Sequence, residues 1–208
     1  LIAGAATLVL PLAAHAAGSI TGTIKLDGQA PQRQTIKMSA DPQCEAANPS
    51  GRMGDVFLVK DGKVQNVFVY VKSGPSVDGK TFEPAKQKIV LDQKGCIYYP
   101  YVMGIQVGQE LEIVNSDDTL HNVHALPVAN EEFNKGQPVK GMKFAHKFTK
   151  AETIPPVKFK CDVHPWMFAY AGVFDHPFYS VTGKDGKFKI SGLPNGKYTL
   201  EAYHVNTH

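Results

Sequence analysis

The sequence has little of what marks several large classes of protein. Its 208 residues carry a formal net charge of only +3, and no lysine or arginine cluster is interleaved with aromatic residues, so nucleic-acid binding is not predicted. Hydrophobic residues make up 43% and charged residues 20%, a globular composition that excludes disordered and fibrous classes. After residue 16 no apolar run reaches the length of a membrane span. Helical periodicity is almost absent, whereas alternation of apolar and polar residues is common.

The first sixteen residues, LIAGAATLVLPLAAHA, contain no Lys, Arg, Asp or Glu and end in the small-x-small pattern Ala14-His15-Ala16. This pattern is typical of an export signal, and we expect cleavage after Ala16. The alternative, a membrane anchor, is disfavoured by Pro11 and by the short length of the apolar run. The stretch has no methionine and no basic leader, so we expect the signal to be truncated. The mature protein is therefore predicted to be periplasmic or extracellular, with no membrane span.

Cysteine is scarce and odd in number, since the chain has three. Export places them in an oxidising compartment, where two can pair and the third needs another explanation. Cys44 and Cys96 lie in loop-like contexts beside turn residues, so we predict a disulfide between them. Cys161 follows the alternating stretch VKFK and stands beside a histidine and a methionine. We expect Cys161 to remain free for chemistry.

Period-2 alternation predicts an all-β protein made of short strands separated by Gly, Pro, Asn and Asp. One helix or irregular excursion is expected in VANEEFNKGQP. The predicted strands are SITGTIKLDG, VQNVFVYVK, QKIVLD, GIQVGQELEIVNS, HNVHAL, KFAHKFT, PPVKFKC, YAGVF, YSVTG, GKFKISG and KYTLEAYHV.

The two ends of the mature chain, GSITGTIKLDGQAP and SVTGKDGKFKISGLPNGKYTLEAYH, combine turn residues with apolar alternation. They resemble the carboxypeptidase regulatory-like family, a small immunoglobulin-like or transthyretin-like β-sandwich. In that family the two segments are close in sequence, whereas here a long stretch separates them, so we expect an inserted domain. The family also has closing strands after the second segment, which implies that this chain is truncated at its C-terminus. The matching residues are Gly18, Gly22, Gly28, Thr182, Asp185, Gly186, Phe188, Leu193, Pro194, Gly196 and Tyr198.

The middle of the chain carries two segments with side chains that bind metals. The first, GIQVGQELEIVNSDDTLHNVHAL, is an apolar strand that runs into the pair His121-Asn122. The second, KFKCDVHPWMFAYAGVF, holds Cys161, His164 and Met167 within seven positions. Together these segments resemble the cupredoxin family of blue, type 1 copper proteins, which includes plastocyanin and amicyanin, and the tight loop is most similar to that of amicyanin.

The resemblance implies one copper ion that cycles between Cu(I) and Cu(II). Cys161 supplies the thiolate, His121 and His164 supply imidazoles, and Met167 supplies an axial sulfur. A soft thiolate, two imidazoles and a weak thioether suit both oxidation states. Asn122 is implied as the residue that ties the two ligand-bearing segments together.

Other histidines are weaker candidates. His124 is the alternative to His121, but it lies three residues away and points to the opposite face of a regular strand. His146, His176 and His204 lack ligand-like spacing, so a second copper, as an oxidase or nitrite reductase needs, is not expected. A binuclear purple centre needs two cysteines in the loop, and this loop has one.

The predicted architecture is a Greek-key cupredoxin sandwich at residues 86–174, inserted into a smaller transthyretin-like sandwich formed by residues 17–85 and 175–208. The predicted function is single-electron transfer between transiently docked redox proteins, with no enzymatic activity. Cys161 and His164 are the expected exit path for the electron, and Trp166, Phe168 and Tyr170 could form an exposed apolar collar beside it. Copper storage or delivery is the alternative, and a structural module with a vestigial copper loop is the third hypothesis.

Overall fold

The structure, a computed structural model, describes residues 17–206. The predicted export signal at residues 1–16 lies outside the described residues. The prediction of an all-β chain is confirmed, because residues 17–206 form eighteen strands and one short helix. They are β1 (Gly18–Thr23), β2 (Thr35–Ile36), α1 (Pro42–Ala47), β3 (Arg52–Met53), β4 (Val59–Lys60), β5 (Lys63–Val64), β6 (Val67–Ser73), β7 (Ile89–Gln93), β8 (Tyr98–Tyr99), β9 (Val102–Gln106), β10 (Leu111–Asn115), β11 (His121–Leu126), β12 (Phe133–Gln137), β13 (Lys143–His146), β14 (Glu152–Lys160), β15 (Phe168–Phe174), β16 (Tyr179–Val181), β17 (Lys187–Leu193) and β18 (Thr199–His204).

Two sheets enclose the larger core. One has four strands in the order β13-β10-β7-β8, and the other has five in the order β12-β11-β14-β15-β9. Buried side chains alternate along β10, so that Leu111 and Ile113 face inward from the first sheet. Val123 and Phe159 face them from the second sheet, and all four belong to one buried cluster. We call this two-sheet unit the large sandwich.

The two ends of the described chain meet in a second set of sheets. β1 pairs with β17, and β6 lies between β16 and β18. Their buried cluster is aliphatic and consists of Val64, Val67, Val69, Val71, Ile190 and Leu193. We call this unit the small sandwich.

The strand β6 joins the two units because both of its faces are buried. Val67, Val69 and Val71 face the core of the small sandwich. Phe68 and Tyr70 lie on the opposite face, in a separate cluster that contains Phe174 of β15. Successive side chains of β6 point to opposite faces, so the strand contributes to two different cores. Burial of both faces explains its nearly continuous apolar sequence, VFVYV.

Two regions differ from the sequence predictions. The stretch VANEEFNKGQP was expected to be helical or irregular, but its second half forms β12, which pairs with the edge of β11 in the register His121↔Gln137. The segment that contains α1 packs on the large sandwich, since Met38 and Cys44 belong to its buried cluster, although the sequence division placed this segment with the other unit. Within residues 17–206, no helix has the length and apolar character needed to cross a membrane.

Candidate metal centre

The loop before β11 is folded so that His121 points into the core. The buried Asn115 amide donates hydrogen bonds to the carbonyl oxygens of Thr119 (2.9 Å) and Gln137 (2.8 Å), and its Oδ1 accepts one from the Asp117 amide (2.9 Å). These bonds close the loop NSDDTL and fix the start of the strand. The His121 side chain is consequently 0% exposed.

The loop from Cys161 to Met167 is closed by its own backbone. The Cys161 amide donates to the Met167 carbonyl (3.0 Å), and the Met167 amide donates to the His164 carbonyl (2.9 Å). The His164 amide points at Cys161 Sγ (3.4 Å). Because β14 and β15 are antiparallel neighbours, this short connection brings Cys161, His164 and Met167 together beneath the sheet.

The structure brings His121, Cys161 and His164 to one point. The Nδ1 atoms of His121 and His164 lie 3.0 Å apart, and Cys161 Sγ lies 3.8 Å from His164 Nδ1. All three residues are buried, and their potential ligand atoms lie within 4.8 Å of one another. Met167 is 1% exposed and belongs to the same buried cluster as Cys161. A thiolate and two imidazole nitrogens around one point are donors that suit copper in both oxidation states.

The outer nitrogens of the two histidines are held by carboxylates. His121 Nε2 lies 3.0 Å from Asp117 Oδ2, and His164 Nε2 lies 2.9 Å from Asp41 Oδ2. A proton on each Nε2 would be donated to its carboxylate, which leaves the Nδ1 lone pair free for a metal. No local sequence pattern indicates either carboxylate as part of the site.

Asp41 reaches the site because it is the N-cap of α1. Its Oδ1 accepts hydrogen bonds from the amides of Gln43 (2.8 Å) and Cys44 (3.2 Å), which leaves Oδ2 for His164. The disulfide between Cys44 and Cys96 anchors the helix to the large sandwich. Cys44 Sγ itself lies 3.6 Å from His164 Nε2.

The charges at the site support one another. Burial alone raises the pKa of Cys161, but hydrogen bonds from His121 and from backbone amides outweigh burial and lower it, which favours the thiolate. Burial alone lowers the pKa of His121, but Asp117 and Cys161 outweigh burial and raise it. Burial raises the pKa of Asp41 and of Asp117, yet the hydrogen bonds that each receives bring it below its usual value.

Asn122 connects the two ligand-bearing segments. Its Oδ1 accepts a hydrogen bond from the Asp162 amide (2.7 Å) and lies 3.3 Å from Cys161 Sγ. Its Nδ2 donates to Asn134 Oδ1 (2.7 Å) and Asp162 Oδ2 (3.1 Å). The thiol is thereby held against β11 by a side chain that is itself fixed at both ends.

The other histidines lie elsewhere. His124 Nδ1 is 3.1 Å from Asp162 Oδ2 and its Nε2 is 2.6 Å from Glu132 Oε1, so both ring nitrogens face carboxylates away from the thiol. Among residues 17–206, the clusters of potential metal-binding side chains include none of His124, His146, His176 and His204.

His164, which with Cys161 is the expected exit path for the electron, is covered in the structure. His164 is 2% exposed, and Asp41 covers its outer nitrogen. The reason is the segment around α1, which the disulfide holds against this edge of the sandwich. Trp166 lies beside the histidine, with 5.1 Å between ring centroids, and is half-buried.

No protein-family model matches the chain, and no curated protein matches it. Similar solved structures include a copper-containing nitrite reductase from Thermus scotoductus SA-01, at 21% identity and a TM-score of 0.39, over 51% of this chain and 28% of that one. A purple cupredoxin from Nitrosopumilus maritimus is 24% identical, with a TM-score of 0.35, over 42% of this chain and 99% of the other. An amicyanin variant in the Cu(I) form is 23% identical, with a TM-score of 0.36, over 50% of this chain and 97% of the other.

These structures match about half of the chain at low identity and low TM-score, and this chain spans only 28% of the nitrite reductase. The assignment of a metal and of a function therefore depends on the donor atoms and their surroundings.

Proposed function

We propose that the protein binds one copper ion at this site and carries single electrons between redox proteins. The observation that carries the proposal is the convergence of Cys161 Sγ with the Nδ1 atoms of His121 and His164 in a buried pocket. Met167 is the proposed axial ligand, since it is buried beside Cys161 and closes the same loop. Copper held by these residues would supply a Cu(I)/Cu(II) couple.

The surrounding residues suit electron transfer because they fix the ligands in place. Asp117 and Asp41 orient the two imidazoles, while Asn122 and the amides of the short loop hold the thiolate. Ligands that are held by packing and hydrogen bonds keep one geometry when the metal changes charge. The donor set of one thiolate and two imidazoles is complete within the chain, and all three of these ligands are buried. We therefore propose a carrier without enzymatic activity.

Copper storage or delivery is the second candidate. Delivery favours an exposed, exchangeable site with further methionines near it. Here Cys161 and His164 are each 2% exposed and His121 is 0% exposed. Met38 and Met103 belong to the same buried cluster as Met167 but are only 5% and 4% exposed, and Met142 is 39% exposed. Burial of the ligands slows exchange with solvent, so it favours a carrier over a delivery protein. A structural module with a vestigial copper loop would not need a carboxylate beside each of the two histidines, but both are present.

We further propose that the protein acts in the periplasm or outside the cell, because a disulfide persists in oxidising compartments. The small sandwich, formed by the two ends of the chain, is proposed to be the transthyretin-like unit into which residues 86–174 are inserted.

The test is repeated oxidation and reduction of copper-loaded protein in the presence of a Cu(I) chelator. An electron carrier is expected to cycle reversibly by one electron per chain and to retain its metal. A delivery protein would lose copper to the chelator on the first reduction, and that outcome would contradict the proposal. Protein that folds without metal and never develops colour would favour the structural module.

A further inference from the structure

The edge of His164, part of the expected exit path for the electron, is covered in this chain. Asp41 covers His164 Nε2 at 2.9 Å, and the disulfide sulfur of Cys44 lies 3.6 Å from the same nitrogen. His121 is fully buried, with Asp117 against its outer nitrogen. A redox partner that reaches this protein must therefore approach the ligands from another side.

One surface groove reaches the proposed ligand set directly. It has a volume of about 150 Å³, and both Met167 and Trp166 line it. The Trp166 ring centroid lies 5.1 Å from that of His164. The rest of the lining is largely apolar and includes Ile36, Ile97 and Tyr101. We call this the Trp166 groove. A proposed ligand and an aromatic ring beside a second ligand thus line one groove.

The Trp166 groove adjoins a second cavity with a positively charged lining. The second cavity, of about 420 Å³, shares Asp55 with the groove and is lined by four cationic side chains. They are Arg33, Arg52, Lys60 and Lys184. Asp55 is the one carboxylate in that lining, and it is already paired with Arg33 at 3.1 Å and Arg52 at 2.7 Å. The apolar Trp166 groove, which Met167 lines, therefore has a cationic cavity beside it, and we call these four cationic side chains the rim.

We propose that the Trp166 groove is the docking surface for an acidic redox protein, and that electrons pass through Trp166 and Met167 instead of the edge of His164. This inference rests on the proposed function. Charge complementarity identifies the partner, since the rim carries four cations against one carboxylate and opposite charges steer two proteins together. An apolar centre within a polar rim is also the usual composition of a protein interface. The partner is accordingly expected to present an apolar contact surrounded by Asp and Glu.

The charge of the rim is tested with two small oxidants of opposite charge, ferricyanide and tris(phenanthroline)cobalt(III). Copper-loaded, reduced protein is mixed with each oxidant, and the return of the copper absorption band is followed by stopped flow. The rim variant is Lys60→Glu with Lys184→Glu. The control, Lys135→Glu with Lys147→Glu, makes the same change in net charge at exposed lysines that do not line the groove or the cavity.

The rim variant is expected to slow ferricyanide by roughly tenfold and to accelerate the cationic oxidant, because local charge changes steering by about that factor or more. The control should alter both rates far less. At about 1 M salt, where the screening length is near 3 Å, the two variants should converge. Equal effects of the rim pair and the control pair would overturn the inference.

Access is tested separately from charge by filling the Trp166 groove. Val56 lines the groove and is 39% exposed, so Val56→Trp is expected to slow both oxidants severalfold. The matched control is Val128→Trp, at an exposed position (77%) outside the groove. Unchanged rates in Val56→Trp would overturn the inference. The copper absorption band of the wild type and of each variant is recorded first. Absence of the band in the wild type would contradict the proposed function. A normal band with unchanged rates in Val56→Trp would contradict only the inference about the groove.

Discussion

The two sandwiches bury different kinds of side chain. The small sandwich has an aliphatic core of four valines, one isoleucine and one leucine. The large sandwich also buries the four proposed copper ligands, in and beside its apolar cluster: His121, Cys161, His164 and Met167. Buried polar groups are costly unless they have partners, and here His121 and His164 each have a carboxylate. The small core thus lacks this donor set, whereas the large core holds the side chains that we propose as the copper ligands.

The comparison predicts that damage to the large core affects both stability and the site. Phe159 is fully buried, packs near Phe148 and Phe133, and lies two residues before Cys161. Phe159→Ala is expected to lower the free energy of unfolding by about 3–5 kcal/mol and to weaken copper binding, because the cavity loosens β14. Urea unfolding of the copper-free protein and a copper titration measure the two effects. A loss below about 1 kcal/mol would show that this core tolerates a cavity and would contradict the prediction.

Damage to the small core should affect stability alone. Val69 is 2% exposed in the aliphatic cluster, and Val69→Ala removes two methyl groups, so we expect a loss of about 2 kcal/mol in the free energy of unfolding. The absorption spectrum of the copper-loaded protein should not change. Val128→Ala, at a position that is 77% exposed, is the matched control and should have almost no effect. A shifted copper spectrum in Val69→Ala would mean that the two cores are not separate.

The carboxylate partners should affect the site more than the fold. Asp41→Asn keeps an oxygen that can cap α1 but removes the negative charge beside His164 Nε2. Copper affinity is expected to fall by about tenfold, the lower end of the range for residues that orient metal ligands. Asp185→Asn, at an exposed carboxylate that pairs with Lys187 at 3.5 Å, is the control. Wild-type copper affinity in Asp41→Asn would remove Asp41 from the site.

Two buried histidines should respond to pH in opposite directions in copper-free protein. The pKa of His121 is raised, since Asp117 and Cys161 outweigh burial, so its charge stabilises the fold below about pH 6.5. That contribution is lost as pH rises through the raised folded-state pKa. The pKa of His176 is lowered, chiefly by burial. Its contribution is complete above about pH 6.5 and is lost as pH falls through the lowered folded-state pKa.

Urea unfolding across this pH range compares wild type with His121→Gln and with His176→Gln. The stability difference between wild type and His121→Gln should shrink as pH rises, and that for His176→Gln should shrink as pH falls. Slopes of the same sign for both variants would contradict the assigned environments.

The strands and the loop that carries Cys161, His164 and Met167 could be predicted from the sequence because both depend on local patterns. Alternation identified β11 from HNVHAL, and the close spacing of Cys161, His164 and Met167 indicated a shared loop. Asp41 could not be assigned in this way, because its contact with His164 joins positions far apart in the chain. A local signal for α1 did exist, since Asp41-Pro42 is a typical N-cap followed by proline. This local signal predicts where the helix starts, but it does not predict that the Asp41 side chain contacts His164.

Two features that the local sequence patterns did not indicate have tertiary causes. The residues of β12 favour no strand by themselves, but the free edge of β11 supplies backbone partners for them. His164 is covered because a segment distant in sequence, held by the disulfide, places Asp41 against its ring. In both cases the deciding contact is with a distant segment.

The central claim is tested most directly by titrating residues 17–208 with Cu(II), followed by visible absorption and electron spin resonance, for wild type and for Cys161→Ser. The account predicts an intense charge-transfer band that saturates at one copper per chain, with narrow hyperfine splitting, and its disappearance in Cys161→Ser. A pale spectrum that is unchanged in Cys161→Ser would mean that copper binds at other histidines, and it would contradict the claim that Cys161, His121 and His164 form a copper site.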